Sequence, residues 1–411
     1  MRRLRVLPSF ADVDAKAWDA LLTGASAHNP FVEHAFLWAL ERSGSLGRSW
    51  LPRIVVVEDD GVLVGAAPAF LRSDSFGEFI FDWQIADAAQ RFGLRYYPKL
   101  TVAVPFTPAT GPRLLHTQPD VRSALVAGLL DVEKSEGASS THVLFCNHAE
   151  ACALADAAEL RGAPPSGPKA ASSGLRPEFL RRASLQFHWR NDGYGSFDDF
   201  LQALSHDERK QIRRERRRVK ESGLVVELRS GCEVPPEWWP RLYALYSGIY
   251  ARKWGRPYLT RRFFDEMNDT LAERAVVVVA RDPKQNDVDG IVAMTLSFER
   301  GSHCYGRYWG SDVDVPGLHF ELCYYALIER AIAKGQTLVE AGAQGEHKLK
   351  RGYLPVITHS VHRFVDPRFS SAVARFFVDE EVAVLRERDE LALHGPFKEG
   401  SAPSTPLVAG L

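Results

Sequence analysis

Two β-hairpins, one in each half of the chain, constrain its fold more than any other feature. RIVVVEDDGVLVGAAPAFL (53–71) sets two β-branched runs either side of the turn Glu58-Asp59-Asp60-Gly61. In the second half, Ala275–Arg281 and Asp289–Glu299 flank a turn at Pro283–Asp287. An aromatic amphipathic helix precedes each hairpin. Residues 12–22 and 30–42 supply the first, with Phe31, His34, Ala35, Trp38 and Leu40 near one stripe. Trp238–Trp254 supplies the second, with Trp238, Leu242, Leu245, Tyr246, Ile249 and Tyr250 at helical spacing. After each hairpin come strands, a helix (Val121–Lys134; one beginning at Gly317) and a short strand (Thr141–Cys146; Thr337–Ala341). The same order occurs twice. A repeat this long predicts two homologous domains rather than a solenoid of many short units.

The expected boundaries follow. Residues 1–160 form the first domain, and 185–393 the second, with the chemistry. Residues 161–184 form a linker or long surface loop, since 161–178 are rich in Pro, Gly, Ser and Ala. Residues 394–411 form a frayed tail. Within the second domain, Leu185–Trp189 reads as a short strand, Tyr258–Glu273 as one helix and 368–393 as a closing helix.

Composition excludes several classes. Of 411 residues, 45% are hydrophobic and 25% charged, ordinary for a globular protein. A net charge of −1 gives no global field for DNA or membrane, so an anionic partner must be held by a local patch. Five cysteines without metal-type spacing predict free thiols in a reducing cytoplasm. MRRLRVLPSF has no apolar run behind its basic residues and is not read as a signal peptide. No apolar run is long enough for stable membrane insertion.

The titratable side chains gather between Tyr305 and Phe364: Arg307, Asp312, His319, Glu321, Glu346, His347, Lys348, Arg351, His359 and His362. Such groups are rarely buried unless paired. A helix starting at Gly317-Leu318-His319 puts Glu321 in its first turn. There the helix dipole favours the carboxylate while partial burial opposes it, the balance a general base needs. Tyr325 lies one turn on, within reach of the same proton network. His319 is either a cap or a further base. In GAQGEHKLKRG (342–352), Gly342 and Gly345 allow tight turning and exposed N–H groups. Glu346 and His347 offer an acid–base pair, Lys348 and Arg351 two anion-binding groups. Either Glu321 or Glu346 is the expected base. In GRYWG, Arg307 and Trp309 are expected on one strand face and Tyr308 on the other. Arg307 needs an anionic partner: Glu321, Glu340 or a substrate. His359 and His362 fall on opposite strand faces, so no metal site is assigned.

HDERKQIRRERRRVKE (206–221) cannot be a core helix. Its Arg209, Lys210, Arg213, Arg214 and Arg217 are either a solvated face or a site for a phosphate-rich donor, coenzyme A or transfer RNA.

The blocks LQFHWRN (185–191), ERKQIRRERRRVK (208–220), RKWGRPYLTRRFF (252–264), GRYWG (306–310), LHFELCYY (318–325) and GAQGEHKLKRGYLP (342–355) resemble the FemAB-like predicted N-acyltransferases of the GNAT superfamily. The resemblance implies an α+β fold: a tandem pair of GNAT-like domains, each a mixed sheet flanked by helices. It implies transfer of an acyl or aminoacyl group to an amine, with a cell-wall or peptide precursor as candidate acceptor. The donor would be acyl-CoA or aminoacyl-tRNA, with no permanently bound cofactor. VDVPGLHF lacks the R/Q-x-x-G-x-G/A loop of acyl-CoA users, and Ala326 stands where the family carries Gln. Two further readings remain at this level: a non-catalytic module binding RNA or a cell-wall precursor, and a small-molecule acetyl-CoA-dependent acetyltransferase.

Overall fold

The computed structural model describes residues 1–156, 179–252, 255–342 and 345–403. The expected linker stretch 161–178 and the last part of the tail, 404–411, lie outside the described residues, as do Trp254, Ala343 and Gln344.

The first half runs β1 (Arg2–Leu7), α1 (Ala15–Asp19), α2 (His34–Arg42), β2 (Trp50–Pro52), β3 (Ile54–Asp59), β4 (Val62–Ala67), β5 (Ala69–Arg72), α3 (Trp83–Arg91), β6 (Lys99–Val102), β7 (Leu115–His116), α4 (Pro119–Ser135), β8 (Ser140–Cys146) and α5 (His148–Ala155). The second opens with β9 (Leu180–Arg190), α6 (Phe197–Ala203), α7 (His206–Glu221), β10 (Val225–Ser230) and α8 (Trp238–Arg252). It continues through α9 (Arg261–Asp265), α10 (Met267–Thr270), β11 (Ala275–Arg281), β12 (Ile291–Arg300), β13 (His303–Ser311), α11 (Leu318–Phe320), α12 (Ala326–Ala333), β14 (Leu338–Glu340), β15 (Leu354–Phe364) and α13 (Pro367–Leu393).

Both expected hairpins form, β3–β4 and β11–β12, each antiparallel. The first turns at Asp60 and Gly61, both with positive φ. The β3–β4 hairpin lies in a four-stranded sheet, β1-β3-β4-β7. The β11–β12 hairpin lies in an eleven-stranded sheet, β10-β11-β12-β13-β14-β9-β15-β8-β6-β5-β2. The large sheet therefore draws strands from both halves. They meet where β15, near the C-terminus, lies between β9 and β8.

One apolar cluster carries Phe31 and Phe36 from the first half and Trp238, Tyr246, Phe298 and Tyr305 from the second. Phe31 sits 5.4 Å from Phe298 and 5.1 Å from Tyr305, edge to face. Burying each such ring is worth about 1.5–3 kcal/mol, so the halves are joined by core packing as well as by strand pairing. A second cluster, on the side of α6, α7, α11 and α12, includes Trp189, Phe200, Ile212, Leu322 and Leu327.

Three expectations change. β9 begins at Leu180, inside the segment expected to be linker, because it pairs with β15 along its length and with β14 at its end. Tyr258–Glu273 is two short helices. The N–H groups of Tyr258 and Leu259 bond the Tyr246 hydroxyl, and Thr260 caps α9 by accepting from Phe263 N. The tail is docked as far as described: Ser205 N donates to Pro396 O at 2.8 Å and Lys398 N to Ala203 O at 3.0 Å.

Candidate active site between parting strands

β12 and β13 pair antiparallel, but Leu296 faces Tyr308 while Ser297 faces Gly306, so Arg307 is a bulge. The bulge changes the side-chain alternation. Arg307 turns its guanidinium over Phe31 (4.8 Å) and Tyr305 (5.2 Å), the side where Tyr308 also packs. Trp309 faces the other side, 5.1 Å from His319. The expectation that Arg307 and Trp309 share a face is thus corrected, since a bulge shifts the period of two by one residue. Tyr308 donates its hydroxyl proton to Phe106 O and packs 5.4 Å from Tyr246.

β13 and β14 run parallel over only three pairs, ending at Tyr305↔Glu340. β14 stops there while β13 continues to Ser311, so beyond Tyr305 β13 runs on without its β14 partner, and the place beside it is termed the wedge. Arg307 and Glu340 line it, with side chains 2% and 4% exposed and Nη2 3.5 Å from Oε2. They form a long ion pair, and among the described residues Arg307 Nε and Nη2 and Glu340 Oε2 have no hydrogen bond of ordinary geometry. Buried polar atoms normally find partners. Burial pushes the Glu340 carboxyl up to about 7, against the pull of Arg307 and Arg113. His188, opposite Glu340 on β9, is buried and held well below the usual imidazole range by desolvation.

Lys348 is the other member. It is buried, and its Nζ donates to Gly342 O at 2.9 Å. Desolvation and the nearby Arg307 charge lower it to about 7. The turn Glu346–Arg351 that carries it starts at Gly345, with φ of 110°. A Cβ there would lie 2.4 Å from the His347 ring. A carboxyl and an amine that both titrate near neutrality can exchange protons with a reacting group at physiological pH.

The rim is built from the helix that starts at Gly317 (φ 91°) and passes through a π-turn, Glu321–Tyr325. π-turns often mark functional positions. One side of this helix faces the Glu346–Arg351 turn. His319 lies 5.4 Å from Tyr324 and 6.2 Å from His347, and Tyr324 Oη is 2.9 Å from His347 Nε2. Arg351 stacks 3.4 Å over Phe320 and donates to Glu215. Burial lowers His319 to about 4 and also depresses His347.

The other side of the helix faces α7. Glu321 accepts two hydrogen bonds from Arg216 Nε and one from Nη2, and Arg216 also reaches Glu329. Burial raises Glu321, with Arg216 opposing. Tyr325 donates to Glu215. Glu346 is exposed. Of the two expected bases, Glu321 is thus held by a cation 105 residues away and Glu346 stands at the surface.

On α7, Ile212, Glu215 and Val219 face inward. Lys210, Arg213, Arg214 and Arg217 are exposed and Arg209 is half-buried. Arg213 lies 3.5 Å from Asp198, Arg209 donates to Gln202, and Arg214 to Gln211. This cationic face is apart from the wedge, though the inward side of α7 braces the rim through Glu215. Asp312 pairs with Arg241 at the surface.

Sequence reasoning named Glu340 only as one possible partner for Arg307 and did not single out His188. The signal available for Glu340 was a carboxylate ending an otherwise apolar strand, and for His188 the run of polar residues Ser184, Gln186, His188 and Arg190 at alternate positions of β9. Gln186, two residues before His188, accepts or shares a contact with it at 3.4 Å and donates to Pro108 O. Gln186 also lines a cleft of about 390 Å³ with Phe79, Phe81, Trp83, Phe145 and Arg182. The polar seam thus borders an open cleft.

The profile of the FemAB-like family, described as peptidoglycan biosynthesis/recognition, matches residues 9–399. The chain belongs to the FemAB-like family. No match was found among curated proteins. Among solved structures, FemX superposes with TM-score 0.50 at 13% identity, covering 88% of this chain and 98% of that one. The C-terminal domain of a putative lysylphosphatidylglycerol synthetase from Agrobacterium fabrum gives 0.51 at 10%, covering 90% and 97%. A tandem GNAT protein from the clavulanic acid biosynthesis pathway gives 0.42 at 12%, covering 89% and 99%. The expected α+β class, with a large mixed sheet flanked by helices, is the one this FemAB-like chain adopts.

Proposed function

We propose that this FemAB-like protein is an N-acyltransferase that moves an acyl or aminoacyl group from aminoacyl-tRNA or acyl-CoA to an amine on a cell-wall or peptide precursor. The observation that supports it is the Arg307–Glu340–Lys348 cluster in the wedge between β13 and β14. It combines orphaned buried donors and acceptors with two groups poised near neutrality.

In this reading the acceptor nitrogen attacks the donor carbonyl. Glu340 takes the nitrogen's proton. The orphaned N–H groups of Arg307 hold the oxyanion of the tetrahedral intermediate. The carbon–oxygen or carbon–sulfur bond then breaks, and Lys348 gives its proton to the leaving hydroxyl or thiol. The base role moves from Glu321 and Glu346 to Glu340, since Glu321 is tied to Arg216 and Glu346 is exposed. His319, His347, Trp309, Tyr325 and Arg351 shape or brace the mouth. The cationic face of α7, with Arg209, Lys210, Arg213, Arg214 and Arg217, meets donor phosphates. The first half closes the seam through its 106–113 segment. The protein works in the cytoplasm, where both donor classes exist.

The test offers the purified chain labelled aminoacyl-tRNA and acyl-CoA with amine-bearing precursors, and compares it with Glu340→Gln. Transfer by the unaltered chain that falls about 10²–10⁴-fold in the variant supports the reading. Equal transfer by both overturns the assignment of the base.

A further inference from the structure

A second group of reactive side chains lies away from the wedge, where α5 crosses β9 and β15. Asn147 caps α5 by accepting from Glu150 N. His148 and Cys152, four residues apart, therefore share one face. Cys152 Sγ is 3.5 Å from His148 Nε2, within reach of a sulfur hydrogen bond. His148 Nδ1 is 3.2 Å from His359 Nε2 on β15. Arg181, on β9, donates an N–H to Cys152 Sγ at 3.5 Å. A sulfur, a base hydrogen-bonded to it and a third group orienting that base form the arrangement of an activated nucleophile. Burial, with His148 and Arg181 beside it, lowers His359 to about 4, so it orients His148 as a neutral ring.

The other cysteines differ. Cys146, Cys304 and Cys323 are buried, and desolvation pushes their thiols up, to about 12 for the last two. Cys232 is exposed. Cys152 is half-buried and has both an imidazole and a guanidinium on its sulfur. His359 drew attention in the sequence, and transfer in the wedge makes no use of it.

We propose that Cys152, with His148, His359 and Arg181, is a nucleophilic thiol site that reacts with hydroperoxides. His148 takes the thiol proton, and the sulfur attacks the terminal oxygen of R–O–O–H. The O–O bond breaks, an S–O bond forms, and the departing RO⁻ takes the proton from His148 as ROH. Cys152 is oxidised to a sulfenic acid while the peroxide is reduced to an alcohol.

The test exposes the full chain to hydrogen peroxide with dimedone, a sulfenic-acid trap, and follows each cysteine by peptide mass spectrometry. Expected is a Cys152 adduct forming about tenfold or more faster than the Cys232 adduct, although Cys232 is more exposed. His148→Gln and Arg181→Gln each slow Cys152 while leaving Cys232 unchanged. Cys152 reacting no faster than Cys232 in the unaltered protein overturns the proposal, whether or not a variant folds. Equal Cys152 rates in folded His148→Gln and the unaltered chain overturn it as well.

Discussion

Arg307 Nη2 and Glu340 Oε2 stand 3.5 Å apart where the pairing of their two strands ends, each atom without an ordinary hydrogen bond among the described residues. An Arg and a Glu buried this deeply usually join by two parallel hydrogen bonds. Here those atoms stay available to a third molecule. Replacing Arg307 with Lys keeps a charge but loses the fork of N–H donors. Transfer is expected to fall by about 10²–10³-fold, the loss typical of one oxyanion donor. Steady-state rates of Arg307→Lys against the unaltered chain check this, and rates within twofold would remove Arg307 from the chemistry.

The pH profile follows from the two groups near 7. Glu340 must be unprotonated to accept a proton, so activity rises with pH up to about 7. Lys348 must be protonated to donate one, so activity falls above about 7. The expected curve is a narrow bell whose two limbs belong to the pair rather than to either residue. Glu340→Gln removes the rising limb from whatever activity remains. A flat profile from pH 5 to 9 in the unaltered chain would exclude both roles.

Stability carries the same signature. Between 4.5 and about 7, folded Glu340 keeps a proton that the unfolded chain has lost, so its contribution to stability falls as pH rises through that window. Between about 7 and 10.5, folded Lys348 has lost a proton that the unfolded chain keeps, so its contribution rises with pH. Glu340→Gln should therefore gain Tm relative to the unaltered chain from pH 5 to 7. Scanning calorimetry at several pH values checks the sign.

Arg216 separates structure from chemistry. Its loss leaves Glu321 buried without its cation. Arg216 is about a third exposed, so Arg216→Gln is expected to cost about 1–3 kcal/mol, not the full cost of breaking a buried pair. Arg216→Gln with Glu321→Gln should recover part of that loss, and denaturant unfolding of the single and double variants measures it.

In the proposed function the exposed cations of α7 act on binding alone. Reversing Lys210, Arg214 and Arg217 to Glu is expected to raise the KM for a phosphate-rich donor about tenfold or more at low salt, with little change at high salt. The melting temperature should stay unchanged, since these side chains are exposed. Equal KM at both salt concentrations would show that the donor does not use this face.

Local chemistry made much of this protein legible. The hairpins, the basic helix, the glycine start at Gly317 and the turn at Gly345 all follow from alternation, charge and backbone freedom within a few residues, which a sequence displays directly. So does the gathering of titratable groups after Tyr305, and the family blocks they sit in. The tertiary structure decided what those groups do. A bulge moved Arg307 off the face of Trp309. Arg216, far away in the chain, claimed Glu321, while Glu340 lost water without gaining a full partner. β15 crossed to the first half and joined strands of both halves into one sheet. Pairing between distant strands and the removal of water set these outcomes, and neither is written in the spacing of neighbouring residues.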